Sequence, residues 1–136
     1  MNPQLTLIRG IPGSGKSTLA SELEQNHTNA IWFEADHFWL DTSGNYNFER
    51  KRLRDAHQWC QNQCEENLAL GKHVIVSNTF TTRWELEPYF AMIQKYEVNP
   101  SVILLQNNWG SIHSVPESVI QSMKDRFDYF IEDMFL

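Results

Sequence analysis

The spacing of apolar residues switches repeatedly between a period of two and a period near 3.6. Over 4–9, Leu5, Thr6, Leu7 and Ile8 form a short β-prone run that meets a Gly/Pro/Ser cluster, which predicts a buried strand ending in a loop. Over 17–25, Leu19, Ala20 and Leu23 recur at helical spacing, with Asn26 as the terminator. A second strand is predicted over 30–35, leading into Asp36.

Residues 41–45 (Asp-Thr-Ser-Gly-Asn) mark an exposed turn, and Asn47 is placed to cap a long helix over 48–70, closed by Gly71 in a left-handed conformation. A third strand follows over 73–76, with Asn78 just past its end. Thr82 and Glu85 have capping-box spacing and open a helix towards Tyr96, which Pro88 should bend or shift in its effective start. A fourth strand is predicted over 101–105. After a loop over 106–115, Pro116 suits a first helical turn, and Val119, Ile120, Met123, Phe127, Phe130, Ile131 and Met134 form an apolar stripe. That stripe, with Trp84 and Tyr89, is assigned to the core. Strands alternating with helices predict a single α/β domain over 1–136: a short, mostly parallel sheet of about four strands, covered on both faces through right-handed crossovers.

Composition narrows this frame. A chain of 136 residues that is 41% hydrophobic and 12% aromatic has ample material for one core. Its apolar runs are too short to cross a bilayer, and its N-terminus has no export pattern, so no membrane role is expected. Cys60 and Cys64 lie four apart within one predicted helix, where a bridge would close almost no loop; reduced thiols and a cytoplasmic location are expected. The net charge of −6 argues against nonspecific attraction of nucleic acid over the whole surface and leaves room for a local basic patch. Oligomeric state is not legible.

Residues 10–17 carry the most specific chemistry. Gly10, Ile11, Pro12, Gly13, Ser14, Gly15, Lys16 and Ser17 satisfy GxxxxGK[ST] in full, Thr18 follows, and the string lies between a predicted strand and a predicted helix. Glycines let consecutive backbone N–H groups turn inward around phosphate, and the following helix presents its positive end to the same anion. Lys16 is placed to reach the β- and γ-phosphates, and the Ser17 hydroxyl to take one Mg²⁺ position, so ATP and Mg²⁺ are the expected cofactors. The glycine order is GxxGxG, unlike the GxGxxG of dinucleotide folds. The fold expected is therefore the P-loop NTPase form of a three-layer α/β/α sandwich.

Asp36, at the carboxyl end of the second strand, is the candidate catalytic base: it either accepts the proton of an attacking hydroxyl, holds a magnesium-bound water, or serves only as a turn cap. Glu34 and His37 are its neighbours with weaker claims. Asn78 and Thr79 are placed to orient the γ-phosphate or the acceptor. Arg50, Lys51, Arg52 and Arg54 either bind an acceptor phosphate or form a solvated helix face. Trp39, Tyr46 and Phe80 either stack a base or pack beneath loops. His57, Cys60 and Cys64 share a helical face that could in principle ligate zinc, but a zinc site needs a fourth ligand and helical packing explains the face without it.

These residues resemble the P-loop polynucleotide-kinase-like family, which includes phage 5'-hydroxyl kinases and AAA-type ATP-binding kinase-like proteins. The likeness spans nearly the whole chain. It rests on 9–17, on Asp36 with its aromatic followers, on Tyr46-Asn47-Phe48, on Ala56-His57-Gln58-Trp59, on Ser77-Asn78-Thr79 with Trp84-Glu85 and Tyr89, and on Ile112-His113-Ser114-Val115-Pro116. It implies a kinase in which Lys16 and Ser17 bind ATP and magnesium and Asp36 activates the acceptor hydroxyl, with Trp39 and Arg52 on the acceptor side. Three departures stand out. Trp39 occupies the place of an arginine that engages the acceptor phosphate, Asn78 replaces a strand-end aspartate, and the stretch between Lys95 and Lys124, which includes a loop short for a lid of this family, contains no Lys or Arg. Arg83, Lys124, Arg126 or a protonated His113 must then substitute, or turnover is slow. Three functional classes follow: a kinase with a nucleic-acid 5' end as preferred acceptor, a kinase of small molecules or nucleosides, and a nucleotide-binding regulatory protein with weak or no catalysis.

Overall fold

The computed structural model describes residues 3–107 and 115–135. Four strands, β1 (Gln4–Arg9), β2 (Ala30–Phe33), β3 (His73–Asn78) and β4 (Asn99–Leu104), form one sheet in the order β2-β3-β1-β4. Every pairing is parallel, with Leu7 opposite Val76 on one side and Val102 on the other, and Phe33 opposite Val76. Four helices accompany the strands: α1 (Lys16–Asn26), α2 (Leu53–Ala69), α3 (Arg83–Lys95) and α4 (Glu117–Asp125). A parallel sheet needs cover on both faces.

Side-chain alternation divides the core into two layers. Leu5 and Leu7 of β1, Phe33 of β2, and Val74 and Val76 of β3 pack with Cys60, Cys64 and Leu68 of α2 and Leu86, Tyr89 and Met92 of α3. Ile8 and Ile75 point the other way and pack with Ala20 of α1, joined by Leu19, Leu23, Trp32 and Ile103. The expected α/β/α layering is therefore the observed one.

Local chemistry sets the element ends. The Thr82/Glu85 capping box opens α3, which runs through Pro88, and Gly71 takes φ +79° after α2. Other expectations fail for identifiable reasons. Asn47 caps no helix: its side-chain amide donates to Asp41 Oδ2 and to the Asn45 carbonyl, and its backbone N–H donates to the Trp39 carbonyl, closing the 41–47 turn. The long helix begins instead with a 3-10 turn, Arg50–Arg52, followed by α2. The C-terminal stripe is also broken, since α4 stops at Asp125. Beyond it the Asp128 N–H donates to the Thr81 carbonyl (2.7 Å), a bond that a continued helix would forbid by committing that N–H to Lys124, and Asp128 Oδ2 accepts the Arg83 N–H (2.8 Å). Phe127 and Ile131 are buried while Phe130 is 81% exposed, and Trp84 is 77% exposed, so those two aromatics are not core.

Candidate nucleotide-binding and catalytic cleft

At the carboxyl ends of the strands the chain forms a cleft of about 1380 Å³, where parallel sheets concentrate their ligand chemistry. The loop over 10–17 forms one wall. Gly13 and Gly15 adopt φ +85° and +95°, a left-handed conformation that glycine takes without a Cβ clash, and Gly15 is the N-cap residue of α1. The first-turn amides of α1 thus face the cleft with the positive end of the helix dipole. Gly10 and Ile11 shape the loop from behind: the Gly10 N–H donates to the Thr79 carbonyl (3.2 Å), and the Ile11 carbonyl accepts both the Ser14 N–H (3.2 Å) and Lys16 Nζ (3.0 Å).

Lys16 is sequestered enough that burial brings its ammonium down to about 8, against the opposing pull of the Glu34 and Asp36 carboxylates. Ser14 Oγ is fully buried and has no hydrogen-bond partner among the described residues. It lies 2.5 Å from where a Cβ on Gly10 would stand. The glycine loop, the Lys16 ammonium and the N-terminus of α1 fit a phosphate chain, and the hydroxyl and carboxylate oxygens of Ser17, Glu34 and Asp36 fit a hard divalent cation. Pro12, Gly13, Ser14, Gly15, Lys16, Ser17 and Thr18 all line the cleft.

Opposite the loop, Glu34 follows the last residue of β2. Its Oε2 accepts hydrogen bonds from Ser17 Oγ (2.8 Å) and from Ser77 Oγ (2.9 Å), while Trp32 Nε1 donates to Ser77 Oγ (2.8 Å). Asp36 lies two residues later, in a 3-10 turn spanning Ala35–Trp39, where its Oδ1 accepts the Tyr46 hydroxyl (3.1 Å). Burial and the Asp36 carboxylate push the Tyr46 phenol up to about 12, so it remains a donor. Asn78 anchors that turn: its Oδ1 accepts the Ala35 N–H (2.8 Å) and its amide approaches Cys60 Sγ (3.7 Å).

Trp39, Tyr46, Phe48, Arg50, Leu53 and His57 line the remaining wall of the cleft. Trp39 is buried, edge-on to Phe38 and Phe48 with ring centroids 5.1 and 5.2 Å away, so it forms the floor of this wall and offers no free stacking face. Thr79 lines the cleft, but Arg52 does not: its guanidinium pairs with Asp55 (3.2 Å) and sits over the Phe38 ring (4.9 Å), leaving Arg50 as the cation on this side. Phe80 is buried with φ +47° and its carbonyl accepts Nε and Nη2 of Arg9 (3.1 and 2.7 Å). Cys60 and Cys64 are buried free thiols within the α2 packing, and burial raises both, Cys60 to about 11.

Of the cations considered as replacements for a lid arginine, Arg126 lines the cleft and donates through Nε to Thr81 Oγ1 (3.3 Å). Arg83 pairs with Asp133, and Lys124 is not among the lining residues. His113 and most of the 106–115 loop lie outside the described residues. Glu34 and Ser77 are the site residues that sequence reasoning undervalued. Their signal was the strand alternation, because one step beyond Phe33 and Val76 both side chains turn to the face that carries α1.

A glycine-rich loop between the first strand of a parallel α/β/α sheet and the helix that follows it, facing the Glu34 and Asp36 carboxylates, defines the P-loop kinase-like fold. Residues 5–130 match the AAA domain family, and the chain belongs to it. Human NEDD4-binding protein 2 is 32% identical over 139 residues, covering 93% of this chain but 8% of that protein, so the chain spans a small part of this relative's length. Among solved structures, the Pnkp1/Rnl/Hen1 RNA repair complex gives a TM-score of 0.70 at 20% identity, over 94% of this chain and 47% of the other. The APS kinase CysC of Mycobacterium tuberculosis gives 0.60 at 12% identity, over 92% of this chain and 96% of the other. At these identities the structural likeness establishes the fold, a P-loop kinase-like one. No described helix is long and apolar enough to cross a membrane.

Proposed function

We infer that this chain is an ATP-dependent kinase that transfers the γ-phosphoryl group to a hydroxyl acceptor, with a nucleic-acid 5'-hydroxyl preferred. The observation that carries this reading is the convergence of Lys16, Ser17 and Asp36 on one cleft whose far wall is aromatic. Lys16 leaves the Ile11 carbonyl to pair with the β- and γ-phosphates, and the loop amides take the remaining phosphate oxygens. Magnesium, held through Ser17 and the carboxylates opposite it, supplies charge neutralisation when bound.

Asp36 takes the proton of the acceptor hydroxyl. The acceptor oxygen then bonds to the γ-phosphorus as the bond from that phosphorus to the β,γ-bridging oxygen breaks, and ADP leaves with the electron pair. Tyr46 orients the Asp36 carboxylate through its hydroxyl. Arg126, reaching the cleft from the end of α4, supplies cationic charge that a basic lid would otherwise provide, a contribution worth roughly 10³ to 10⁵ in rate in related chemistry. The similarity to a component of an RNA repair complex supports a nucleic-acid acceptor. The two buried free thiols support a reducing, cytoplasmic setting.

A small-molecule acceptor is the second reading, favoured by one observation: among the described residues the acceptor-side wall carries a single cation, Arg50, beside Trp39, Tyr46 and Phe48. Incubating the protein with γ-labelled ATP and magnesium against 5'-hydroxyl RNA, 5'-hydroxyl DNA, nucleosides and water separates the readings. Labelled oligonucleotide that disappears in Lys16→Ala and Asp36→Ala supports the first, and label on nucleosides alone supports the second. ATP binding without label on any acceptor removes both and leaves a nucleotide-binding regulatory protein.

A further inference from the structure

We propose that Glu34 is the metal-supporting carboxylate of this cleft, standing on β2's end in place of the charge that Asn78 does not supply at the end of β3. The proposal rests on the nucleotide reading above, and four observations carry it. In P-loop NTPases the magnesium ion is held by the loop hydroxyl together with a strand-end carboxylate. Here the residue closing β3 is the neutral Asn78, whose Oδ1 is committed to the Ala35 N–H (2.8 Å) and whose amide is directed to Cys60, on the α2 side of the sheet. The carboxylate that meets the Ser17 hydroxyl is instead Glu34, at 2.8 Å. Glu34 also accepts Ser77 Oγ at 2.9 Å on the same oxygen, and Ser77 is fixed by Trp32 Nε1.

The geometry has a chemical consequence for Ser17. A hydroxyl that ligates a cation uses an oxygen lone pair and must direct its proton elsewhere. Glu34 Oε2 receives that proton's hydrogen bond, which turns the Ser17 lone pairs towards the phosphate side of the cleft. The Glu34 side chain is 13% exposed, so its charge acts in a poorly screened environment. Glu34 is thus a positioning residue for the Ser17 ligand and a counter-charge for the cation. Asn78 serves the same end from behind, because its bond to Ala35 fixes the residue directly after Glu34.

The test is the affinity of the full chain for fluorescent ADP, measured with magnesium and with EDTA, together with Mn²⁺ titration followed by the paramagnetic resonance of free Mn²⁺. Glu34→Gln keeps an oxygen acceptor for both serines and removes the charge. It should lower the tightening of ADP by magnesium at least tenfold, raise ADP affinity in EDTA because a carboxylate beside the phosphates has gone, and weaken Mn²⁺ binding by a similar factor. Glu34→Asp should recover part of the metal dependence, and Ser77→Ala should give a smaller loss of the same sign; a merely structural role would lower affinity with and without metal alike. Near-ultraviolet circular dichroism checks folding, and loss of metal dependence in a Glu34→Asp variant that is natively folded still reads the site if Glu34→Gln misfolds. Undiminished magnesium dependence in Glu34→Gln, with the loss found only in Asp36→Asn, overturns the proposal. ADP binding by the unaltered chain with no metal dependence also overturns it and leaves the nucleotide reading intact. No ADP binding at all overturns both.

Discussion

Asn78 Oδ1 and the Ala35 N–H are joined at 2.8 Å, a bond that ties the end of β3 to the first residue of the 3-10 turn carrying Asp36. Asn78 is 8% exposed, so water cannot readily replace its carbonyl. Asn78→Ala should therefore destabilise the fold by about 1–3 kcal/mol, the cost of orphaning a poorly hydrated donor. Because the turn also fixes Asp36, kcat should fall at least tenfold, and because the same bond steadies Glu34, the tightening of ADP by magnesium should fall by less than in Glu34→Gln while ADP affinity in EDTA changes little. Urea unfolding and steady-state kinetics with the acceptor identified by the labelling experiment check both. A stability loss with unchanged kcat would show that the turn finds its place without Asn78.

Much of this arrangement is readable in the amino-acid sequence, and the exceptions have physical causes. The loop over 10–17 is specified by local chemistry, since its glycines, lysine and serine act within one strand–turn–helix unit. Glu34 was also accessible, through the alternation of Ile31 and Phe33 against Ala30 and Trp32 carried one residue further. Its partnership with Ser77 was harder to see, because it depends on the β2–β3 register, a pairing between segments about forty residues apart. The choice between Arg50 and Arg52 turns on a 3-10 segment, whose three-residue period rotates side chains differently from the α-helix expected over 48–70 from the Asn47 cap and Gly71. The broken C-terminal stripe reflects tertiary bonds from Asp128 to Thr81 and Arg83 that outweigh local helix preference.

Gly10 gives a sharp steric prediction. A Cβ there would stand 2.5 Å from Ser14 Oγ and 2.7 Å from the Leu105 carbonyl oxygen. The serine can rotate, but the carbonyl belongs to the chain leaving β4 and accepts no such displacement cheaply. Gly10→Ala should thus push the loop off its strand, weaken ADP binding at least tenfold, and lower stability by about 1–3 kcal/mol, as overpacking does elsewhere. Calorimetric titration with ADP and thermal unfolding measure the two effects; native affinity in the variant would show that β4 and the loop separate more easily than the contacts indicate.

Arg9 is 1% exposed and fills the space between the β3–α3 connection and the C-terminal segment. Its guanidinium donates twice to the Phe80 carbonyl and lies 4.5 Å from the centroid of the Phe127 ring. Burial lowers its pKa, with Asp128 the leading opposing influence, yet an arginine stays protonated throughout the accessible range. Arg9→Met should cost about 2–4 kcal/mol through the lost charge-assisted bonds and an unsatisfied carbonyl. The same substitution frees Phe127 and with it Arg126, so ATP turnover should fall more than ADP affinity does. Equal losses in both would place Arg126 outside the reaction.

His73 supplies a pH dependence of stability that is separate from the cleft. Its Nε2 lies 2.8 Å from Thr6 Oγ1, and its ring meets the His27 ring edge-on at a centroid distance of 5.3 Å. Burial is the main cause, and His27 the second, of a folded-state pKa below the ordinary value of 6.5. The sign follows from proton linkage: as pH falls through 6.5 the unfolded chain takes up the proton first, so this residue's contribution is complete above that value and is lost as pH drops through the lower folded value. Urea midpoints should therefore decline on acidification from neutrality, and His73→Gln, which can still bond Thr6, should show a shallower decline. An identical pH slope in the variant would assign the acid sensitivity to other groups and leave the His73–Thr6 contact as simple packing between β1 and β3.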